Sequence, residues 1–219
     1  MGGFFITFEG IEGSGKTTQA KKLYTYLRKK KLNCILTREP GGTRISEKIR
    51  RIILDLGNVD MVSRTELFLY LASRSQHVEE VVRPALFANK IVISDRFSDA
   101  TVAYQGAGRN LSIETVKYLN RLAAASLTPD LTFLLDLPVR KGLSRVRRTD
   151  RIEREEAEFH DKVRKEYLNI AAKEPERVVV LNGTKNSRAI HSRVVEVVEA
   201  TMRSADEETE DSGHRILSS

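Results

Sequence analysis

The chain has 219 residues and one cysteine, Cys34, so no internal disulfide can form; the residue reads as a small buried apolar side chain in a cytoplasmic protein. No apolar run approaches the roughly 18–20 residues that span a bilayer. The opening MGGFFITFEG lacks the basic region and cleavage site of a signal peptide, and no membrane partner is expected. The histidines His77, His160, His191 and His214 do not share the spacing of metal ligands, so a zinc centre is not indicated. Internal repeats are absent. Acidic residues are outnumbered, 30 against 37 Lys and Arg, for a formal charge of +7. Several of the acids gather in the last residues, which leaves the body more basic still. No basic stripe interleaved with aromatics accompanies this charge, which argues against a nucleic-acid polymer and for a pocket that takes small polyphosphates.

What is present is a repeating alternation. Short apolar runs at 3–9, 33–37, 90–94, 131–136 and 177–181 read as strands, and helix-period segments at 16–31, 45–55, 64–88, 112–126, 138–148, 152–173 and 186–203 separate them. Continuous apolar strands of this length are buried on both faces. The pattern therefore predicts an α/β fold with a five-stranded parallel sheet and helices on both faces. Residues 1–203 suit one such domain. Ser63 and Glu66 have capping-box spacing at the start of the third helical segment, and Pro84 is placed to kink its end. Residues 204–219 lose apolar periodicity and read as a disordered acidic tail.

Gly10-Ile11-Glu12-Gly13-Ser14-Gly15-Lys16-Thr17 fits the pattern G-x-x-x-x-G-K-[ST], directly after the first strand run and opening the first helical one. Glycines there let backbone N–H groups turn inward around a phosphate chain at the positive end of a helix. Lys16 is suited to neutralise the β and γ phosphates, and Thr17 offers a hydroxyl to Mg²⁺. A nucleoside triphosphate is thus the expected ligand of Gly10 through Thr17.

A base-reading N-K-x-D segment is absent, for Asn89-Lys90 precedes a strand run instead of following one, which argues against a GTPase. Arginines stand at strand ends instead: Arg38 after the second, Arg96 after the third, and Arg145, Arg147, Arg148 and Arg151 after the fourth. Ligands of an open α/β sheet bind at the carboxyl ends of the strands. This supply of cations exceeds the need of one triphosphate and points to a second phosphorylated substrate facing the first.

The segments FEGIEGSGKTTQ, TREPGGT, LFLYLASRSQHV, SDRFSDATVAYQGAGR and DRIERE, in that order over residues 4 to about 200, resemble the bacterial thymidylate kinases. The resemblance implies a P-loop nucleoside monophosphate kinase fold with a mobile basic lid at about 141–152. It implies phosphoryl transfer from ATP to dTMP with Mg²⁺, and a homodimer. On the dTMP side it places Arg96 on the phosphate, with Arg38 and Arg50 as further phosphate contacts, and Pro40 near the thymine methyl. Tyr70 would stack on thymine, with Phe68 a lesser candidate, and Arg74 would hydrogen-bond the base. Thr101 and Gln105 would read the pyrimidine edge from the helix after Asp95-Arg96. Glu12 would meet the 3′-hydroxyl or phosphate side of dTMP through Mg²⁺ or water, and Thr17, Asp95 and Glu153 are the implied metal-side oxygens. Ala100 stands where a hydroxyl is common, and Ser46 where glycine is common.

The implied catalytic residues are Lys16, Glu12, Arg96 and Arg151, with Arg147 and Arg148 as further ATP contacts. Some family members carry an arginine in the P-loop directly after the acidic residue. This chain has Gly13 there, so the lid must supply the cation, and Arg151 in DRIE is the foremost candidate. Leu67, Leu71, Val78 and Val82, near heptad spacing, fit either a dimer surface or the core. Two rival readings remain at this level: a kinase for another nucleoside monophosphate, and a non-catalytic P-loop protein that senses nucleotide or binds nucleic acid. Retention of Lys16, Thr17, Arg96 and a basic lid weighs against the second.

Overall fold

The computed structural model describes residues 3–146 and 150–216, by backbone alone from residue 205. Strands β1 (Phe4–Glu9), β2 (Cys34–Arg38), β3 (Ile91–Asp95), β4 (Leu131–Asp136) and β5 (Val178–Asn182) form one sheet in the order β2-β3-β1-β4-β5, with every neighbouring pair parallel. This is the expected α/β architecture, and each strand lies within a residue of its apolar run.

Side chains of β1 alternate between two cores. Phe4, Ile6 and Phe8 face Ala20, Leu23 and Leu27 of α1 (Lys16–Lys29) and Val194 and Val198 of α9 (Ser187–Ile216). Phe5 points the other way, into a cluster with Val78, Val82 and Phe97. The stacked rings of Phe8 and Phe133 fix β1 against β4. Each such buried aromatic contributes about 1.5–3 kcal/mol through apolar area removed from water. Cys34 is buried and unpaired, and burial pushes its thiol pKa up, as befits an inert core residue.

Register converts this packing into a site. Arg38 of β2 pairs with Asp95 of β3, and Phe8 of β1 with the same Asp95. The strand ends Glu9, Arg38 and Asp95 therefore lie along one edge of the sheet, where ligands of parallel sheets bind. Around that edge stand α2 (Arg44–Leu54), α3 (Ser63–His77), α5 (Ser98–Thr101), α6 (Ile113–Ala123), α7 (Val139–Leu143) and α8 (Ala157–Lys173).

The structure bears on four local expectations. Ser63 and Glu66 form no capping box: Val62 is the N-cap, without a side-chain cap, and Glu66 turns inward, fully buried, where the half-buried Arg109 and Arg151 attract it more strongly than an exposed helix end can. The helix expected over 64–88 is interrupted by a π-helical turn, Val78–Val82, before α4 (Arg83–Phe87). Pro84, lacking an N–H, stands in the first turn of α4, so the helix widens upstream of the proline. Leu67, Leu71, Val78 and Val82 are 3%, 7%, 0% and 0% exposed, so they are core of one chain and not a surface for a partner. Finally, α9 runs to Ile216, so the helix extends into the segment read as a tail.

Candidate active site

The P-loop joins the end of β1 to α1. Gly15, at the N-cap of α1, takes a left-handed conformation with φ of 100°, which a side chain would strain. Gly13 is constrained twice. Its φ is 70°, and a Cβ on it would lie 2.2 Å from the carbonyl oxygen of Gly142 in α7. The loop and α7 approach closely there, so a side chain at position 13 would clash with the backbone of Gly142. Lys16 is buried, donating to Ile11 O at 2.7 Å. Burial, and then the charge of Arg96, lower its pKa to about 8, against the pull of Glu12, Asp95 and Glu9. Thr17 donates its hydroxyl to Asp95 at the end of β3.

Arg96 follows β3 with φ of 73°, a conformation costing on the order of 1–3 kcal/mol for a non-glycine residue. Its N–H bonds to Phe8 O, and its carbonyl accepts from Ser94 Oγ, which together hold it there. This backbone turn sends the guanidinium back over the P-loop. It donates to Gly10 O at 3.1 Å, Glu12 Oε1 at 2.5 Å, Tyr104 OH at 3.0 Å and Tyr167 OH at 3.2 Å. Tyr104 in turn donates to Glu12 Oε2, and Tyr167 to Glu9 Oε2 at 2.7 Å. Burial alone would raise the Glu12 pKa, but Arg96 and Lys16 beside it hold the carboxyl below its usual value. Glu9 is buried without a cation of its own, and burial followed by the charge of Asp99 raises its pKa to about 7.

A cleft of about 280 Å³ opens in front of these groups. Glu12, Lys16, Thr17, Asp95 and Arg96 line it, together with Arg38, Arg50, Pro40, Tyr70, Ala100, Gln105 and Glu153. Most of the residues expected for a second substrate are thus brought together. Arg50 donates to Pro40 O at 2.8 Å, and Arg38 grips both carboxylate oxygens of Glu47 at 3.0 Å. Ser46 sits buried in the first turn of α2, accepting from Thr43 and donating to Ser73 O at 2.9 Å, so its hydroxyl ties that loop to α3.

Three expected base contacts stand elsewhere. Arg74 is 2% exposed and does not line the cleft. Its guanidinium donates to Glu39 at 2.8 Å, Thr101 at 2.9 Å, Asn120 at 2.5 Å and Phe97 O at 3.0 Å, because a buried cation is drawn to the one buried carboxylate within its reach. Thr101 is buried with it. Beyond Thr101 the chain enters a π-helical turn, Val102–Gly108, whose wider winding sets Gln105 on the cleft wall and leaves Thr101 behind it. Phe68 is 57% exposed on the outer face of α3 and cannot stack on a ligand here.

The arginines expected in a lid divide. Arg147 and Arg148 lie outside the described residues. Arg145 reaches the P-loop, donating to Gly13 O at 3.1 Å. Arg151 does not: it donates to Glu66 at 2.5 Å and to Ile53 O at 3.2 Å, away from the phosphate loop, because the buried carboxylate of Glu66 holds it there. A second pocket adjoins the P-loop on the α1 side, lined by Ser14, Thr18, Gln19, Arg145 and residues 183–187. The P-loop thus borders both spaces, with Glu12, Gly13, Lys16 and Thr17 lining the first and Ser14 and Gly15 the second.

The family model for thymidylate kinase matches residues 8–194. The chain belongs to the thymidylate kinase family. It is 48% identical over 209 residues to a thymidylate kinase of Geotalea uraniireducens, covering 91% of this chain and 98% of that one. A thymidylate kinase of Geotalea daltonii is 50% identical over 194 residues, covering 84% and 91% of the two chains. The crystal structure of thymidylate kinase from Ehrlichia chaffeensis superimposes with a TM-score of 0.76 at 36% identity, covering 91% of this chain and 99% of that one. No described helix is long and apolar enough to cross a membrane.

Within this family member, the sequence missed the residues that the fold brings in from afar. Tyr104 and Tyr167 hold Arg96, Glu39 holds Arg74, and residues 183–187 line the pocket beside the P-loop. The turn signal Asn182-Gly183-Thr184 after the fifth strand was a usable cue for the last, since strand ends carry the ligands. The hydroxyl of Thr17 and the carboxylate of Asp95 are hard oxygen donors that suit Mg²⁺. Among the described residues no group of three or more His, Cys, Asp or Glu is placed to hold a metal ion.

Proposed function

We infer that the 280 Å³ cleft takes dTMP and the pocket beside the P-loop takes ATP, with their phosphates meeting between Lys16 and Arg96. The enzyme phosphorylates dTMP to dTDP. One observation carries the assignment of sites: Lys16, opening α1 after the P-loop, and Arg96, following β3, line one cleft together with Arg38, Arg50, Tyr70 and Gln105. The dTMP phosphate is already an anion at neutral pH, so its oxygen attacks without a general base. Rate enhancement comes from positioning and from charge placed where the transferring group develops it.

Arg96, fixed by Glu12 and two tyrosine hydroxyls, offers a preoriented planar donor set to the acceptor phosphate, with Arg38 and Arg50 as further cations. Lys16 stands at the β and γ phosphates of ATP. Among the described residues, Arg145 is the arginine of that segment that reaches the P-loop, and we assign it to the ATP phosphates in place of Arg151. Tyr70 stacks on thymine, Pro40 borders its methyl, and Gln105 faces its edge, while Arg74 and Thr101 support that wall from behind. Thr17 and Asp95, with Glu153 through water, would hold Mg²⁺, which when bound neutralises charge on the phosphate oxygens. Two copies pair as a homodimer through exposed apolar residues of α3 and α6, Phe68, Tyr118 and Leu122.

A coupled ADP-release assay across the deoxy- and ribonucleoside monophosphates tests the reading. Turnover is expected to be fastest with dTMP. Fastest turnover with a purine monophosphate, or none with any, would overturn it.

A further inference from the structure

Glu66 lies inside α3 with its carboxylate fully buried, and it serves three side chains at once. Its Oε1 accepts from Gln105 Nε2 at 2.8 Å and from Arg109 Nε at 3.1 Å. Its Oε2 accepts from Arg109 Nη2 at 3.0 Å and from Arg151 Nη2 at 2.5 Å. Arg109 is itself held from the other side by Glu155 at 2.6 Å. Burial would raise the Glu66 pKa, but Arg109, Gln105 and Arg151 more than offset it and hold the carboxyl below its usual value.

An ionised carboxylate only accepts hydrogen bonds. Gln105 must therefore present its amide nitrogen to Glu66, for inversion would set one acceptor oxygen against another in a buried site. Among the described residues, no side chain or backbone group donates to Gln105 Oε1. Gln105 lines the cleft together with Glu12, Tyr70, Ala100 and Tyr104.

We propose that Glu66 is a positioning residue that fixes the polarity of Gln105 and, through it, the choice of pyrimidine. The amide oxygen is the end left for the base. The site thus favours a ring that offers N–H at its N3 edge, as thymine and uracil do, over cytosine, whose N3 is an acceptor. The inference rests on the reading of Gln105 as the base contact. Glu66 acts at one remove and touches no substrate.

The test is kcat/KM for dTMP, dUMP and dCMP in the full-length enzyme and its variants. Glu66→Gln keeps the volume but offers both donor and acceptor, so Gln105 is free to invert. The preference for dTMP over dCMP should fall tenfold or more, with the preference for dTMP over dUMP, which depends on the methyl group, and the KM for ATP unchanged. In a Gln105→Met background, Glu66→Gln should change the dTMP-to-dCMP preference no further. An equal fall for all three monophosphates, or an unchanged dTMP-to-dCMP preference, would overturn the proposal. Should Glu66→Gln fail to fold, Glu66→Asp keeps the charge facing Arg109 and Arg151 but withdraws it from Gln105. It should shift the preference in the same direction, and no shift would be decisive against the idea. If Gln105→Met leaves both dTMP turnover and the preference intact, the base assignment itself is wrong. If Gln105→Met is damaging and the Glu66 variants are silent, only the positioning role falls.

Discussion

Replacing Lys16 with methionine separates the residue's cost to the fold from its service to the reaction. The pKa of Lys16 drops from 10.5 to about 8, through burial first and Arg96 second. A drop of that size corresponds to about 3 kcal/mol of disfavoured charge. The sign follows from proton counting. Below pH 8 both folded and unfolded chains hold the proton, and the folded chain carries a cation its site disfavours. Between pH 8 and 10.5 the unfolded chain binds more protons, so stability rises with pH. Methionine matches the length and packing of lysine without the charge, but it leaves Ile11 O without its donor, at a cost of about 1–3 kcal/mol. The ligand-free variant should therefore be at least as stable as wild type at pH 7, by up to about 2 kcal/mol, and the difference should vanish or reverse near pH 10. Urea denaturation at both pH values measures this. Turnover should fall by about 10²–10³ or more, the scale for loss of one preorganised donor at a developing anion. A variant that is less stable at pH 7, or that turns over within about tenfold of wild type, would refute the reasoning.

Glu9, with its pKa raised from 4.5 to about 7, contributes stability that is fully present below pH 4.5 and is lost as pH rises through 7, about 3 kcal/mol in all. Glu9→Gln should flatten urea-derived stability between pH 5 and 8; a slope equal to that of wild type would count against the buried acid. Arg74→Ala leaves Glu39 buried without its cation and should cost about 3–5 kcal/mol of stability by chemical denaturation. A change confined to the KM for dTMP would mean that Arg74 serves the ligand alone. Arg145→Ala should raise the KM for ATP and lower kcat, whereas Arg151→Ala should chiefly lower the melting temperature, because its partner is Glu66. A hundredfold loss of kcat in Arg151→Ala with the melting temperature intact would restore it as the catalytic arginine.

The sheet and the phosphate loop were legible in the sequence because their causes are local. Five continuous apolar runs can only be strands covered on both faces, and Gly13 to Thr17 spell out a backbone path as well as a chemistry. Arg96 was legible because parallel strands deliver their ends to one edge. Glu66 was not: its spacing from Ser63 satisfies a capping rule, and only the fold shows that Gln105, Arg109 and Arg151 converge on it from distant segments. Arg74 has the spacing of a base contact, yet Glu39 and Asn120 draw its guanidinium into the interior. The π turn at Val102–Gly108 leaves no periodic trace, so the parting of Thr101 from Gln105 had no sequence signal. In the lid, four arginines within seven positions look alike in sequence, and what separates Arg145 from Arg151 is which of them lies against the backbone of Gly13.

The most direct measurement follows the phosphorus itself. The enzyme is mixed with ATP, Mg²⁺ and dTMP, and ³¹P NMR resolves the products. The γ-phosphorus of ATP should be recovered as the β-phosphorus of dTDP, one for each ADP formed, and the signal should be lost when Lys16→Met replaces the wild type. Release of that phosphorus as inorganic phosphate with dTMP left unchanged would contradict transfer between two nucleotides meeting at Lys16 and Arg96.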